Sequence, residues 1–235
     1  MNFTYEKISQ LDFDLESETT ENGRIYITPE GNRYPSITTV LSATDSKEGL
    51  IAWRERVGEE EANKIMGRSA RRGTELHSIC EKYLLNEMSP IKLRMMMPHV
   101  KELFYKIKPF IDENVTKVHG LEQALYSDVL KIAGRTDCIC EWNGKLSILD
   151  FKNSIKAKKE EYIENYFLQC TAYALMFEHI VKQSIDQIVI LIGVEQESGQ
   201  IFIKRKDDYV ENLISRINTV VLSRERRYDD INRWI

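Results

Sequence analysis

Long hydrophobic runs are missing from this 235-residue sequence. No apolar stretch approaches the roughly 20 residues that a membrane-crossing helix needs, so no contact with a membrane is expected. Residues 1–10 lack a basic stretch followed by an apolar one, so no secretory leader is expected and a soluble, cytoplasmic protein is the default. Internal repeats, low-complexity tracts and Ser/Gly linkers are absent. With only 5 prolines and 11 glycines, the chain reads as one continuous fold. Cysteine is scarce, and Cys80, Cys138, Cys140 and Cys170 fit neither a zinc ribbon nor a disulfide framework. They are expected as reduced core residues, since free cysteine packs as a small hydrophobe. An excess of positive charge is also lacking. The 33 basic and 37 acidic residues leave a net charge of −4, which excludes a polyanion binder covering the whole surface but not a local basic groove.

What is present is a sizeable apolar fraction, 42% against 30% charged, enough for a core. Residues 1–22 read as polar and irregular, and 24–28 with 33–34 as a short hairpin around Pro29-Glu30-Gly31-Asn32. Ser36 suits a helix N-cap with Ile37, Val40 and Leu41 on the buried face. Helical periodicity follows over 50–57, 59–69, 72–85 and 96–114. The period then changes to that of strands over 122–126, 132–142 and 146–151, with Asn143-Gly144 as a hairpin signal between the last two. A helix at 162–181, strands at 188–193 and 201–204 and a helix at 208–227 complete the chain. The expected class is α/β, a mixed central sheet flanked by helices. As one domain it divides into an N-terminal appendage (1–33), a mainly helical part (34–120), a sheet core (121–205) and a closing helix (206–235).

The stretch that carries chemistry is Gly134-Arg135-Thr136-Asp137 followed by Ile148-Leu149-Asp150-Phe151-Lys152. Asp137 falls on one arm of the Asn-Gly hairpin and Asp150 and Lys152 on the other, two apart and therefore on one strand face. Leu149 and Phe151 then point the opposite way, into the core. An acid and a lysine after an apolar run are costly to bury, and make sense if the acid holds a cation. Two carboxylates plus a phosphate oxygen suit the octahedral shell of Mg²⁺, and such an ion acidifies a bound water and neutralises developing charge. Lys152 can orient the attacking water, help deprotonate it or stabilise the transition state, and the residues leave the three open. Taken alone, Asp-x-Lys is a weak signal that reads more readily as an exposed strand end. Three further features add to it: His77 after Gly73 on an upstream helix, Gln169 and Tyr173 one turn apart on another, and Glu122 on the strand before Asp137, placed to support a metal ligand.

This set resembles the PD-(D/E)xK nuclease superfamily, and within it the RecB-type branch. Gly73/His77, Gly134/Asp137, Asp150/Lys152 and Gln169/Tyr173 occur in that branch's order. The stretch Tyr34-Pro35-Ser36-Ile37-Thr38-Thr39-Val40-Leu41, followed by Trp53 and Gly58, is similar to the mitochondrial genome maintenance exonuclease family and its phage relatives, so the resemblance covers about residues 33–195. It implies a restriction-endonuclease-like core. It also implies that His77, Asp137, Asp150 and the Phe151 carbonyl ligate Mg²⁺ or Mn²⁺, that Lys152 is the catalytic lysine, and that Gln169 and Tyr173 complete the site and touch DNA. The implied activity is exonucleolytic hydrolysis at DNA ends, often single-stranded, in replication, repair or recombination, alongside other proteins of those processes. Thr136 departs from the proline of the superfamily name. The iron–sulfur cluster of some relatives is not expected, because no cysteine follows Cys170.

Basic residues have places in this reading. Arg68, Arg71 and Arg72 precede His77, and Lys156, Lys158 and Lys159 follow Lys152; both groups can line a groove for phosphates, with Arg72 a substrate contact. Arg224, Arg226 and Arg227 are a third group. Two alternatives stand beside the exonuclease: a structure-specific endonuclease, and an inactive DNA-binding module of the same fold. The presence of both acids and the lysine argues against the second.

Overall fold

In the computed structural model, Asn143 and Gly144 take φ of +51° and +73°, the pair of left-handed residues that a two-residue hairpin turn requires. The turn joins β6 (Ile132–Trp142) to β7 (Lys145–Ser154). The structure describes the backbone of residues 2–232 and the side chains of residues 2–221. Around this hairpin lies a six-stranded sheet in the order β1-β5-β6-β7-β8-β9, completed by β1 (Thr4–Tyr5), β5 (Val115–Ser127), β8 (Gln187–Val194) and β9 (Gln200–Arg205). The pairs β1/β5 and β7/β8 are parallel and the others antiparallel, so the sheet is mixed as expected. The parallel β7–β8 step needs a crossover, which α6 (Glu164–Val181) supplies.

Strand alternation sends side chains to two cores. On one face Ile139, Ile148, Ile188 and Ile190 pack with Phe167 and Phe177 of α6 and with Ile37, Val40 and Leu41 of α1 (Ile37–Thr44). Ser36 caps α1 by accepting a hydrogen bond from the Thr39 N–H at 3.0 Å. On the other face Cys138, Cys140, Leu149 and Phe151 pack with Leu76 of α3 (Glu59–Leu84) and Phe104 and Ile107 of α5 (Pro98–Asn114). All four cysteines are free and buried. The chain closes with α7 (Asp207–Asn232); the side chains of Arg224, Arg226 and Arg227 lie outside the described residues.

Several expectations change. Residues 1–22 are not irregular throughout. β1 extends the main sheet beside β5, and β2 (Glu16–Thr20) forms a second sheet with β3 (Gly23–Ile27) and β4 (Arg33–Pro35). Phe3, Leu11 and Leu15 are buried, and these separated apolar residues tie a polar segment down. The helices expected at 59–69 and 72–85 are one 26-residue helix, because glycines such as Gly67 and Gly73 each lower helix stability by only about 1 kcal/mol and do not break a packed helix. Pro90 starts the short α4 (Pro90–Met95), preceded by α2 (Glu48–Val57); Ser89 caps α4 and proline suits a first helical turn. Among the described residues, no helix is long and apolar enough to cross a membrane.

Phe177 is fully buried at the centre of the α6 core. Phe177→Ala should lower stability by about 3–5 kcal/mol, read as a fall in the urea midpoint at unchanged m-value. A loss under about 1 kcal/mol would contradict its place in that core.

Candidate active site

The β6/β7 ladder runs from Trp142↔Lys145 to Cys138↔Leu149 and stops there. Past that point β6 stays paired with β5 as far as Ser127↔Ile132, and β7 with β8 as far as Ser154↔Val194. The sheet therefore splits between β6 and β7. Asp137 is the first β6 residue beyond the ladder, and its Oδ2 accepts a hydrogen bond from the Phe151 N–H at 2.8 Å, so a carboxylate takes the position of the missing strand partner. The Phe151 side chain remains in the core.

Other elements bring side chains to the split. From α3, His77 places Nδ1 3.3 Å from Asp137 Oδ1. The helix can come this close because Gly73, one turn earlier, faces Asn153 of β7: a Cβ at residue 73 would lie 2.9 Å from Asn153 Oδ1. The Asn153 amide in turn donates to the Ser69 carbonyl at 3.2 Å, tying helix to strand. From β5, Glu122 sits opposite Asp137 with φ +45°, in the left-handed region that costs a non-glycine residue of the order of 1–2 kcal/mol. Its carbonyl is gripped by Arg135, whose guanidinium also pairs with Asp14. Backbone strain of this kind persists where surrounding contacts fix it, and it gathers at functional sites. His77, Glu122 and Asp137 present ligand atoms all within 4.8 Å of one another.

Asp150 and Lys152 leave the same face of β7, as the Asp-x-Lys spacing requires, with Lys152 Nζ against Asp150 Oδ2. Asp150 is 0% exposed, yet neither of its oxygens has a well-directed hydrogen-bond donor. A buried carboxylate without such partners is costly, and a cation relieves that cost. Carboxylate oxygens are the donors that Mg²⁺ and Mn²⁺ take, and one imidazole beside them suits Mn²⁺ better than Mg²⁺. The residues present therefore fit a divalent hard cation.

The protonation states follow from burial and neighbours. Burial opposes a charge on His77, but the Asp137 and Asp150 carboxylates outweigh it and lift its pKa to about 9. Burial, then the charge of Asp137, raises Glu122 to about 7 against the pull of His77. Burial raises Asp150 to about 6, with Lys152 opposing and Asp137 adding to the shift. For Asp137 burial is outweighed by His77, Lys152 and the Phe151 N–H, which together hold it below the usual carboxylate range. Lys152 moves up despite burial, because both acids face it, and is a cation at neutral pH.

The remaining expected residues fall as follows. Gln169 donates to the Tyr173 hydroxyl at 3.1 Å. Tyr173 is only 2% exposed and packs where a Cβ at Gly134 would lie 2.7 Å from its ring, which accounts for the glycine. Direct contact between Tyr173 and a nucleic acid is therefore not available here, and Gln169 is the half-buried member of the pair. Arg72 is paired with Glu195, both side chains largely buried, so its guanidinium is engaged within the protein rather than held out for a substrate. Arg68, Arg71, Lys156, Lys158 and Lys159 are exposed. Glu122, expected in support of the metal ligands and beside the substrate, lies within the candidate metal-binding group of His77, Glu122 and Asp137 itself. Tyr166 was not expected: its ring centroid is 5.1 Å from Lys152 Nζ, and its position three residues before Gln169 on α6 is the helical spacing that points to it.

The model of the PD-(D/E)XK nuclease superfamily matches residues 52–231. The chain belongs to this superfamily. It is similar to human and mouse mitochondrial genome maintenance exonuclease 1, at 28% identity over 178 residues in each case, covering 72% of this chain and 51% of the relative. The chain thus spans about half the length of these curated relatives. A putative exonuclease from Eubacterium rectale aligns with a TM-score of 0.45 at 12% identity over 66% of each chain. Membership rests on the sequence match to the superfamily model, and the matched residues include the split between β6 and β7.

The raised pKa values set a pH dependence with one sign. His77 favours the folded state fully below about 6.5, and this is lost as pH rises through about 9. Glu122 and Asp150 favour it most below their ordinary values of 4.5 and 3.8, and the gain is lost through about 7 and 6. In EDTA, the site's contribution to Tm should therefore decline between about pH 4.5 and 9. Mn²⁺ should restore Tm increasingly as pH rises, because deprotonated ligands bind it. Glu122→Gln should flatten the EDTA profile below about pH 7 and weaken the Mn²⁺ gain. Identical profiles for the variant and the wild type would remove Glu122 from the cluster.

Proposed function

We propose that the chain is a metal-dependent deoxyribonuclease that hydrolyses phosphodiester bonds from DNA ends, preferring single strands, in replication, repair or recombination. The carrying observation is the convergence of His77, Glu122, Asp137, Asp150 and Lys152 on the split between β6 and β7, where Asp150 is fully buried with Lys152 as its ion-pair partner and no well-directed hydrogen bond to either oxygen. Superfamily membership supports the nuclease reading, and the names of the similar relatives supply the exonuclease part.

His77, Glu122, Asp137 and Asp150, with the Phe151 carbonyl, would hold Mg²⁺ or Mn²⁺. When bound, that ion supplies charge neutralisation on the scissile phosphate and an acidified water. Lys152 enters the site as a cation and donates to a phosphate oxygen or to the attacking water, stabilising charge that builds up in the transition state. Gln169, steadied by Tyr173, meets the sugar-phosphate chain or a base. The exposed Arg68, Arg71, Lys156, Lys158 and Lys159 track the backbone phosphates, while Arg72 acts on substrate only indirectly through its pairing with Glu195.

The test is digestion of end-labelled single-stranded and duplex DNA with Mg²⁺, Mn²⁺ or EDTA. Cleavage should stop in EDTA and fall by at least about a hundredfold in Asp150→Ala and in Lys152→Ala. Closed circular single strands should stay intact, and their nicking would favour the endonuclease instead. Cleavage that persists in EDTA, or in both variants, would refute the proposed site.

A further inference from the structure

Beside Lys152 a cleft of about 310 Å³ opens between α1, the segment leading into α2, and α6. That volume is at the lower end of the about 300–1,000 Å³ typical of small-ligand sites. Leu41, Leu50 and Tyr166 give it apolar and aromatic walls, and Thr38, Ser42 and Gln169 give it hydrogen-bonding groups. Two of these six residues also belong to the active site. The Tyr166 ring lies 5.1 Å from Lys152 Nζ, and the Gln169 amide bonds Tyr173 at 3.1 Å. Gln169 spends one amide hydrogen on that bond, which leaves its carbonyl oxygen and second hydrogen for a ligand.

The wall between helices is braced. Asn165 of α6 donates to Asp45 at 2.9 Å and accepts from Arg216 of α7 at 3.0 Å, so the segment after α1 is tied to two helices. At the rim Leu50 is 45% exposed, a large apolar side chain facing an aromatic-walled slot. The charge in the lining is Asp45 and Lys47, one acid and one base, which does not suit a phosphate. A planar heteroaromatic ring with hydrogen-bonding edges does suit it, because every nucleobase has a π-face for the aromatic wall and polar edges for Thr38, Ser42 and Gln169.

We infer that this cleft receives the nucleobase adjoining the scissile phosphate, swung out of its stack and unpaired. This rests on the nuclease reading above and adds to it a physical cause for single-strand preference: a paired base must first leave its partner to enter. The backbone phosphates are left to the metal-binding cluster and the lysines, and the cleft grips the ring.

The test uses single-stranded oligonucleotides that each carry one abasic position, moved stepwise from the end. Binding is followed by fluorescence anisotropy in EDTA to hold off hydrolysis, and cleavage of the intact strand with Mg²⁺ is followed in parallel. One abasic position near the end should weaken binding by about five- to a hundredfold, the others much less. Ser42→Trp, which fills the cleft from an exposed helix position, should bind intact and abasic strands equally weakly while keeping the wild-type Tm. Cleavage of the intact strand with a flat abasic profile, or Ser42→Trp keeping the position dependence, would overturn the cleft assignment and leave the nuclease standing. Neither binding nor cleavage would overturn both.

Discussion

The hydrogen bond from the Phe151 N–H to Asp137 Oδ2 sits where two strands of one sheet part. Without it, parting would leave a buried backbone donor with no partner, at a cost of about 1–3 kcal/mol. With it, β6 can follow β5 and β7 can follow β8, and the gap between them admits side chains from both faces of the sheet. His77 comes from the α3 side and Lys152 from the α6 side. A continuous ladder would have separated these two by the thickness of the sheet.

The same carboxylate is caught between opposing demands. It is 8% exposed, beside Glu122 and near the fully buried Asp150, three acids in a space where each negative charge disfavours the next. His77 and Lys152 balance part of that charge, and the rest appears as the raised pKa values of Glu122 and Asp150. A divalent cation resolves the conflict more fully than either side chain, since it brings two charges and needs oxygen ligands. The fold is thus least satisfied at the place where its chemistry is proposed, as strained and desolvated active sites generally are.

Much of this was legible in the residues where the deciding interactions are local. Asn143-Gly144 imposes its turn through two positive φ values, and from that turn the opposed arms carrying Asp137 and the Asp150/Lys152 pair follow. The Ser36 cap and the apolar stripe of α6 are local in the same sense. What could not be read depends on distant partners. β1 is only two residues, Thr4 and Tyr5, that become a strand because β5 offers an edge. The long α3 is continuous because packing overrides its two glycines, Gly67 and Gly73, and the reason for Gly73, Asn153, lies 80 residues away in sequence. The left-handed turn at Glu122 depends on Arg135 and Asp14, so nothing in its neighbourhood marks it. The burial of Tyr173, which turns an expected contact into a support for Gln169, likewise needs Gly134 from another element.

The central claim is that Asp137 both closes the backbone at the split and anchors a divalent cation there. Asp137→Asn tests it, because the amide keeps an oxygen that can accept from the Phe151 N–H while losing the charge. Mn²⁺ binding measured by calorimetry at neutral pH should be weakened by more than about a hundredfold, beyond what loss of a merely supporting group costs. Mn²⁺ binding by Asp137→Asn with wild-type affinity would contradict the account.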